Sequence, residues 1–157
     1  MDMNPLRHIF IVDIKGLTWM SDATWKTKVD VFKRWGWSEE HIQTAFRKHP
    51  YYMMHSEKKI TAVMDFLVNE MGYDSLSIAE NPKIFHSSLK KRIIPRCSII
   101  IILVSKGLIK KKNPLTSLSG MTDESFSEKF VKLYEREAPE VMKVFQGQLN
   151  YEDLFLK

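Results

Sequence analysis

Apolar residues recur in the same register around three glycines, Gly36, Gly72 and Gly107, which lie 36 and 35 residues apart. The positions five and four residues before each glycine are apolar, as is the position directly after it: Val31, Phe32 and Trp37; Leu67, Val68 and Tyr73; Ile102, Leu103 and Leu108. A glycine in this register is typical of a helix end, because it adopts a left-handed backbone at little cost. The period predicts stacked helical units.

Three prolines divide the units further. Pro50, Pro82 and Pro139 are each followed by apolar residues two and three positions later. Because the residue before a proline is pushed out of the α region, these prolines mark helix boundaries. Each unit is predicted as helix, glycine, helix, proline and a short turn. The predicted units cover roughly residues 5–55, 56–87 and 88–147 of one domain, 1–150, followed by a tail, 148–157.

Helix starts carry a hydroxyl residue followed by acids, as expected where a side chain caps the first amides and carboxylates complement the dipole. Ser21, Ser38, Ser56 and Thr122 occupy this position. They predict helices over 22–35, 39–48, 57–71 and 123–136.

The run Cys97–Val104 is ambiguous. Its four consecutive isoleucines favour a strand by propensity, whereas its place before Gly107 favours a helix. We predict a helix, because one strand among helices would leave its backbone unpaired. Pro95 would then lie near the helix start, where its missing N–H costs least. Residues 110–121, basic and then rich in Ser and Thr, are predicted to form an exposed inserted loop.

Composition limits the possibilities. A chain of 157 residues can form a domain with a substantial core. The single cysteine, Cys97, excludes an internal disulfide and a multi-cysteine metal site, and its apolar neighbours predict a buried, inert thiol. No apolar run reaches the roughly 18 residues that a membrane span needs, and the N-terminus has no secretory pattern.

Basic charge is concentrated in one stretch. Asn81–Leu118 holds nine lysines and arginines and no acid, whereas the rest of the chain holds 15 basic and 19 acidic residues. A buried spine flanked by cations suggests a scaffold that presents positive charge to a polyanion.

Several segments, in order and with matching spacing, resemble the plant mitochondrial transcription termination factor (mTERF) family. They are Trp35–Glu40, Ala45–Pro50, Ser56–Ile60, Met64–Val68, Ser88–Cys97, Lys106–Ile109 and Phe130–Tyr134. The resemblance implies an all-α, α-solenoid fold, in which repeats of two longer helices and a short 3₁₀ turn form a curved superhelix with a basic concave face.

The resemblance also implies function: binding of double-stranded DNA or structured RNA in organellar transcription, termination, splicing or RNA processing. It implies a location in the mitochondrion, or alternatively in the chloroplast. We expect the chain to be a monomer. With about three units and no visible transit peptide, the chain is expected to match the C-terminal portion of such a protein, as a truncated copy or an incomplete gene model.

The candidate nucleic-acid contacts are basic. Clustered cations repel one another unless a polyanion neutralises them, and phosphate contacts give sequence-independent affinity. We expect Lys90, Lys91, Arg92 and Arg96 to be largely exposed on one surface; a solvated face without a ligand is the alternative. Further candidates are Lys106, Lys110, Lys111 and Lys112, and also Arg47 and Lys48, whose place at a helix end favours a structural role at least as much.

Aromatic side chains could stack on unpaired bases. Phe32, Trp35 and Phe46 lie at core-register positions, which leaves Tyr51 or Tyr52 as the candidate. No enzyme motif, metal site or cofactor loop is present in the sequence, so we predict a non-enzymatic protein without metal or cofactor. Two rival interpretations stay open: a helical-repeat module whose basic face binds an acidic protein, and a weakly functional copy.

Overall fold

The computed structural model describes residues 21–110 and 115–149, and every regular element in these two ranges is helical. The all-α fold class is therefore confirmed. The chain divides into two compact units, 1–85 and 86–157. The three-repeat division and its stacking into a solenoid stay predictions.

The first unit alternates longer helices with glycine and proline turns. Helices α1 (Asp22–Arg34) and α2 (Glu39–Lys48) precede a 3₁₀ turn, Pro50–Met54. Helix α3 (Glu57–Met64) continues as a π-helical turn, Asp65–Glu70, and α4 (Ser75–Glu80) precedes a second 3₁₀ turn, Pro82–His86. The predicted serine caps are confirmed, because Ser21, Ser38 and Ser56 each accept a bond from an amide in the first turn.

The predicted glycine ends are also confirmed. Gly36, Gly72 and Gly107 have φ angles of 90°, 71° and 73°, in the left-handed region. After each glycine the next amide bonds back into the helix: Trp37 to the Phe32 carbonyl (3.1 Å), Tyr73 to Leu67 (2.9 Å) and Leu108 to Leu103 (2.9 Å). The apolar residue after the glycine is thereby held against the last turn.

Aromatic rings fill the core of the first unit. The Phe32 ring stacks on Trp37 with centroids 4.5 Å apart, and Tyr52 and Phe85 lie 5.2 and 5.7 Å from Phe32. Polar atoms of these rings are paired: Trp37 Nε1 donates to the Ser75 carbonyl (3.1 Å), and the Tyr52 hydroxyl donates to the Ile42 carbonyl (3.0 Å). Burial raises the pKa of Tyr52.

The second unit begins with a π-helical turn, Leu89–Ile93, that runs directly into α5 (Ile94–Ser105). After α6 (Thr116–Ser119), α7 (Asp123–Phe126) continues through a π-helical turn, Ser127–Val131, and a 3₁₀ turn, Lys132–Tyr134. Pro139 precedes α8 (Glu140–Phe145). The short 3₁₀ turn predicted after this proline is therefore wrong, because Glu140–Phe145 forms an α-helix, with Val141 and Val144 buried.

The helical interpretation of Cys97–Val104 is confirmed, and the Cys97 side chain is fully buried. The predicted position of Pro95 is confirmed, because it is the second residue of α5. The π-helical turn extends the helix backwards from there to Leu89, behind the Ser88 cap. The amides of Ile93 and Ile94 bond five residues back, to Ser88 and Leu89. This wider turn accommodates the proline ring, which would clash with a carbonyl four residues earlier in a regular α-helix.

The exposed-loop prediction for 110–121 is wrong for part of its length. Leu115, Ser117 and Leu118 are buried, with α6 between Leu115 and Gly120. The two leucines are three residues apart, so both reach the same side of the turn. Lys111–Pro114 lie outside the described residues, as do 1–20 and 150–157.

Candidate nucleic-acid interface

The basic turn at the start of the second unit's first helix, hereafter the Lys90 turn, comprises Lys90, Lys91 and Arg92. Ser88 caps it, because its hydroxyl accepts from the Lys91 amide at 3.1 Å. Lys90 and Lys91 are exposed and Arg92 is half-buried. Cations at a helix N-terminus face the positive end of the dipole as well as one another. An anion at this turn would relieve both repulsions.

Arg96 is not part of this exposed surface, and its predicted exposure is wrong: the residue is 2% exposed. Its guanidinium donates to the carbonyls of Ser117 (3.1 Å) and Leu118 (3.2 Å) and to Asp123 (2.8 Å). It also lies 4.7 Å from the centre of the Phe126 ring. Burial lowers the pKa of Arg96, while the hydrogen bond to Asp123 opposes that shift. The side chain fixes the inserted segment instead of facing solvent.

Asp123 links the buried and exposed arginines, and the sequence interpretation missed this role. The same carboxylate oxygen that accepts from Arg96 lies 3.5 Å from Arg92 Nη2. Asp123 was predicted as a first-turn acid of α7, which it is. A pairing over 27 residues has no local sequence signal, because it depends on how the two helices pack.

Lys106 and Lys110 lie beyond α5. Lys106 pairs with Glu140 and donates to the Glu137 carbonyl at 3.3 Å, which ties the end of α5 to the start of α8. The hydrogen bond from Lys106 lowers the pKa of Glu140. Lys110 is exposed. Lys111 and Lys112 lie outside the described residues, so their predicted role stays a prediction.

Arg47 and Lys48 belong to the first unit, in the last turn of α2, and both are exposed. Lys48 donates to the Glu80 carbonyl at the end of α4, at 3.1 Å. This contact favours a structural role for Lys48, since cations stabilise the carbonyl ends of helices.

The two aromatic candidates for base stacking differ in their exposure to solvent. Tyr52 is fully buried, so it offers no stacking surface, whereas Tyr51 is 47% exposed with its ring 6.2 Å from His49. Of the three predicted core residues, Phe32 and Phe46 are buried, but Trp35 is half-buried and lines an open groove beside α3.

A second buried cation was also missed. Lys28 is 8% exposed and donates to the Met53 carbonyl at 2.6 Å. Burial lowers the pKa of Lys28. Its contact anchors the 3₁₀ turn after α2, so it has no surface role.

Within residues 21–110 and 115–149, no group of three or more His, Cys, Asp or Glu side chains is placed to hold a metal ion. In the same ranges no helix has the length and apolarity needed to cross a membrane.

Comparison with known proteins identifies relatives of this chain. The family model named mTERF matches residues 15–127. Transcription termination factor MTERF15, mitochondrial, of Arabidopsis thaliana is 27% identical over 120 residues, which covers 76% of this chain and 26% of that protein. The chain therefore spans about a quarter of the length of this relative. No solved structure matches the chain. The resemblance noted from the sequence motifs is confirmed.

Proposed function

The chain belongs to the mTERF family, and on that premise we propose that it binds double-stranded DNA or structured RNA through the Lys90 turn. It docks on phosphates and takes part in organellar transcription, its termination or RNA processing. By analogy with a relative whose name places it in the mitochondrion, we propose the mitochondrion as its location, with the chloroplast as the alternative.

The observation that carries the proposal is the pair of exposed lysines at a capped helix start. Lys90 and Lys91 follow Ser88 and Leu89, with no acid in this first turn. Elsewhere in the chain, the first turns of α1, α2, α3 and α7 contain acids in the sequence. Two lysines without local compensation supply the electrostatic affinity that phosphate contacts provide.

A matched pair of variants tests this assignment. Ser56-Glu57-Lys58-Lys59 repeats the Ser88-Leu89-Lys90-Lys91 register, with Ser56 accepting from the Lys59 amide at 3.1 Å as Ser88 does from Lys91. Glu57 adds an acid to this first turn, whereas the Lys90 turn has none, and it accepts a hydrogen bond from Arg34 at 3.2 Å. The double variants K58Q/K59Q and K90Q/K91Q therefore remove the same charge at the same helix positions.

Fluorescence anisotropy of labelled duplex DNA and structured RNA across a salt series gives the readout. K90Q/K91Q should weaken binding and lower the slope of log affinity against log salt by about 1 for each phosphate that is no longer neutralised. K58Q/K59Q should stay near the wild type. No binding by folded wild-type chain at low salt would overturn the proposal, as would equal weakening in both variants. Binding of an acidic protein by a chain that does not bind nucleic acid would instead support a protein-interaction module.

A further inference from the structure

Asp123 places a carboxylate beside the Lys90 turn. One of its oxygens, Oδ1, lies 2.8 Å from Arg96 Nη2 and 3.5 Å from Arg92 Nη2. Two cations thus share one anionic oxygen. The Asp123 side chain is 67% exposed, so this negative charge lies at the surface where a phosphate would approach Arg92.

The position of the carboxylate is fixed from the buried side. Arg96 is held by the carbonyls of Ser117 and Leu118 as well as by the Phe126 ring. The backbone of Asp123 is fixed as the first residue of α7, where Thr122 accepts from the Ser125 amide at 3.1 Å. Arg96 therefore keeps the carboxylate in place whether or not Arg92 is paired with it.

Of the two arginines, Arg92 is the one that can exchange the Asp123 carboxylate for a phosphate. Its side chain is 37% exposed, against 3% for Arg96, and its distance to the carboxylate is the longer of the two. An exposed pair at this separation contributes little net free energy, because water screens it and the long side chain loses entropy. A phosphate can compete for the guanidinium of Arg92, but not for that of Arg96.

We propose that Asp123 is a resident counter-ion that withholds Arg92 from phosphate and so sets the affinity of the Lys90 turn for nucleic acid. This inference rests on the function proposed above. It assigns different effects to two adjacent acids of α7, since Asp123 contacts Arg92 while Glu124 is exposed in the same first turn.

The test compares D123N with E124Q by anisotropy on the same labelled duplex. Each substitution removes one negative charge, and Asn keeps an oxygen that can accept from Arg96. D123N should bind about three- to fivefold more tightly at low salt, with a steeper salt slope, because Arg92 becomes an additional phosphate contact. E124Q should change affinity by less than about twofold. The double variant R92Q/D123N should not show the gain.

R92Q alone keeps the inference testable if D123N does not fold, since the Asp123–Arg96 bond remains intact. In the wild-type background R92Q should weaken binding by less than about twofold, clearly less than K90Q. Equal weakening by R92Q and K90Q would overturn the inference, because Arg92 would already contact phosphate. So would equal gains in folded D123N and E124Q. In both cases wild-type binding would persist, whereas absent wild-type binding would overturn the proposed function itself.

Discussion

Replacing Arg96 with methionine should strongly destabilise the second unit. Methionine keeps much of the apolar stem but removes every donor. The carbonyls of Ser117 and Leu118 would no longer have the hydrogen bonds they accept from Arg96, and both residues are buried, at 5% and 0% exposure. Each buried acceptor left without a donor costs about 1–3 kcal/mol. Asp123 is 67% exposed and can be solvated without Arg96, so the two carbonyls carry most of the cost, and we expect a decrease in stability of about 2–6 kcal/mol.

R92M provides the control, because it removes the same kind of charge from the same carboxylate. Arg92 is half-buried and its contact is longer, so the expected decrease is at most about 1 kcal/mol. R96K should fall between the two, since an ammonium can reach one acceptor but cannot form the planar fork that serves three.

Urea unfolding gives the free energies. Trp19, Trp25, Trp35 and Trp37 are the tryptophans of the chain and all lie within 1–85. Tryptophan fluorescence therefore follows the first unit, whereas circular dichroism at 222 nm follows both. The destabilisation should appear in the dichroism transition. A decrease below about 1 kcal/mol, or one equal to that of R92M, would refute the structural role of Arg96.

Two further predictions concern the fold. Y52F should lower stability by about 1 kcal/mol at neutral pH, because the bond to the Ile42 carbonyl disappears. Because the pKa of Tyr52 is raised in the folded state, the stability that this hydroxyl contributes is present below a pH of about 10 and falls as the pH rises further. Y52F should flatten this alkaline decline of the free energy of unfolding, measured by fluorescence-detected urea unfolding. Y51F should leave the decline unchanged. G107A should lower stability by about 1–2 kcal/mol, because the φ angle of Gly107 is 73°. No atom lies within 4 Å of an added Cβ, so this cost is purely conformational. G107N should lower stability less, and equal decreases for G107A and G107N in dichroism-detected unfolding would contradict this account.

Local rules predicted the ends of helices well. The serine caps and the left-handed glycines depend on residues within one turn, so their patterns are visible in the sequence. The prediction of a helix for Cys97–Val104 required the repeat register as well as local rules, because isoleucine propensity favours a strand. The register of Leu103 before Gly107 decided it correctly, since that register depends on a helix end.

The wrong predictions concern residues whose hydrogen-bond partners lie far away in the sequence. Arg96 follows Lys90, Lys91 and Arg92 in a basic run, and nothing local distinguishes it from them. Its burial depends on Ser117 and Asp123, which lie 21 and 27 residues away. The same pairing explains why 115–118 is largely buried despite a composition typical of loops. For Lys90 and Lys91 the same prediction of exposure is confirmed.

The π-helical turn at Leu89–Ile93 has a consequence for how charge and core share one helix. An α-helix advances by about 100° per residue, so Lys90 would lie on the same side as Ile93 and Cys97, both fully buried. The wider turn adds one residue before the buried stripe begins and shifts the angular phase of everything ahead of it. If this turn closed to regular α geometry with the same residues, the phase would shift back and Lys90 would rotate toward the core without any change of side chain. The direction in which this helix presents its charge thus depends on the width of one turn as much as on residue type.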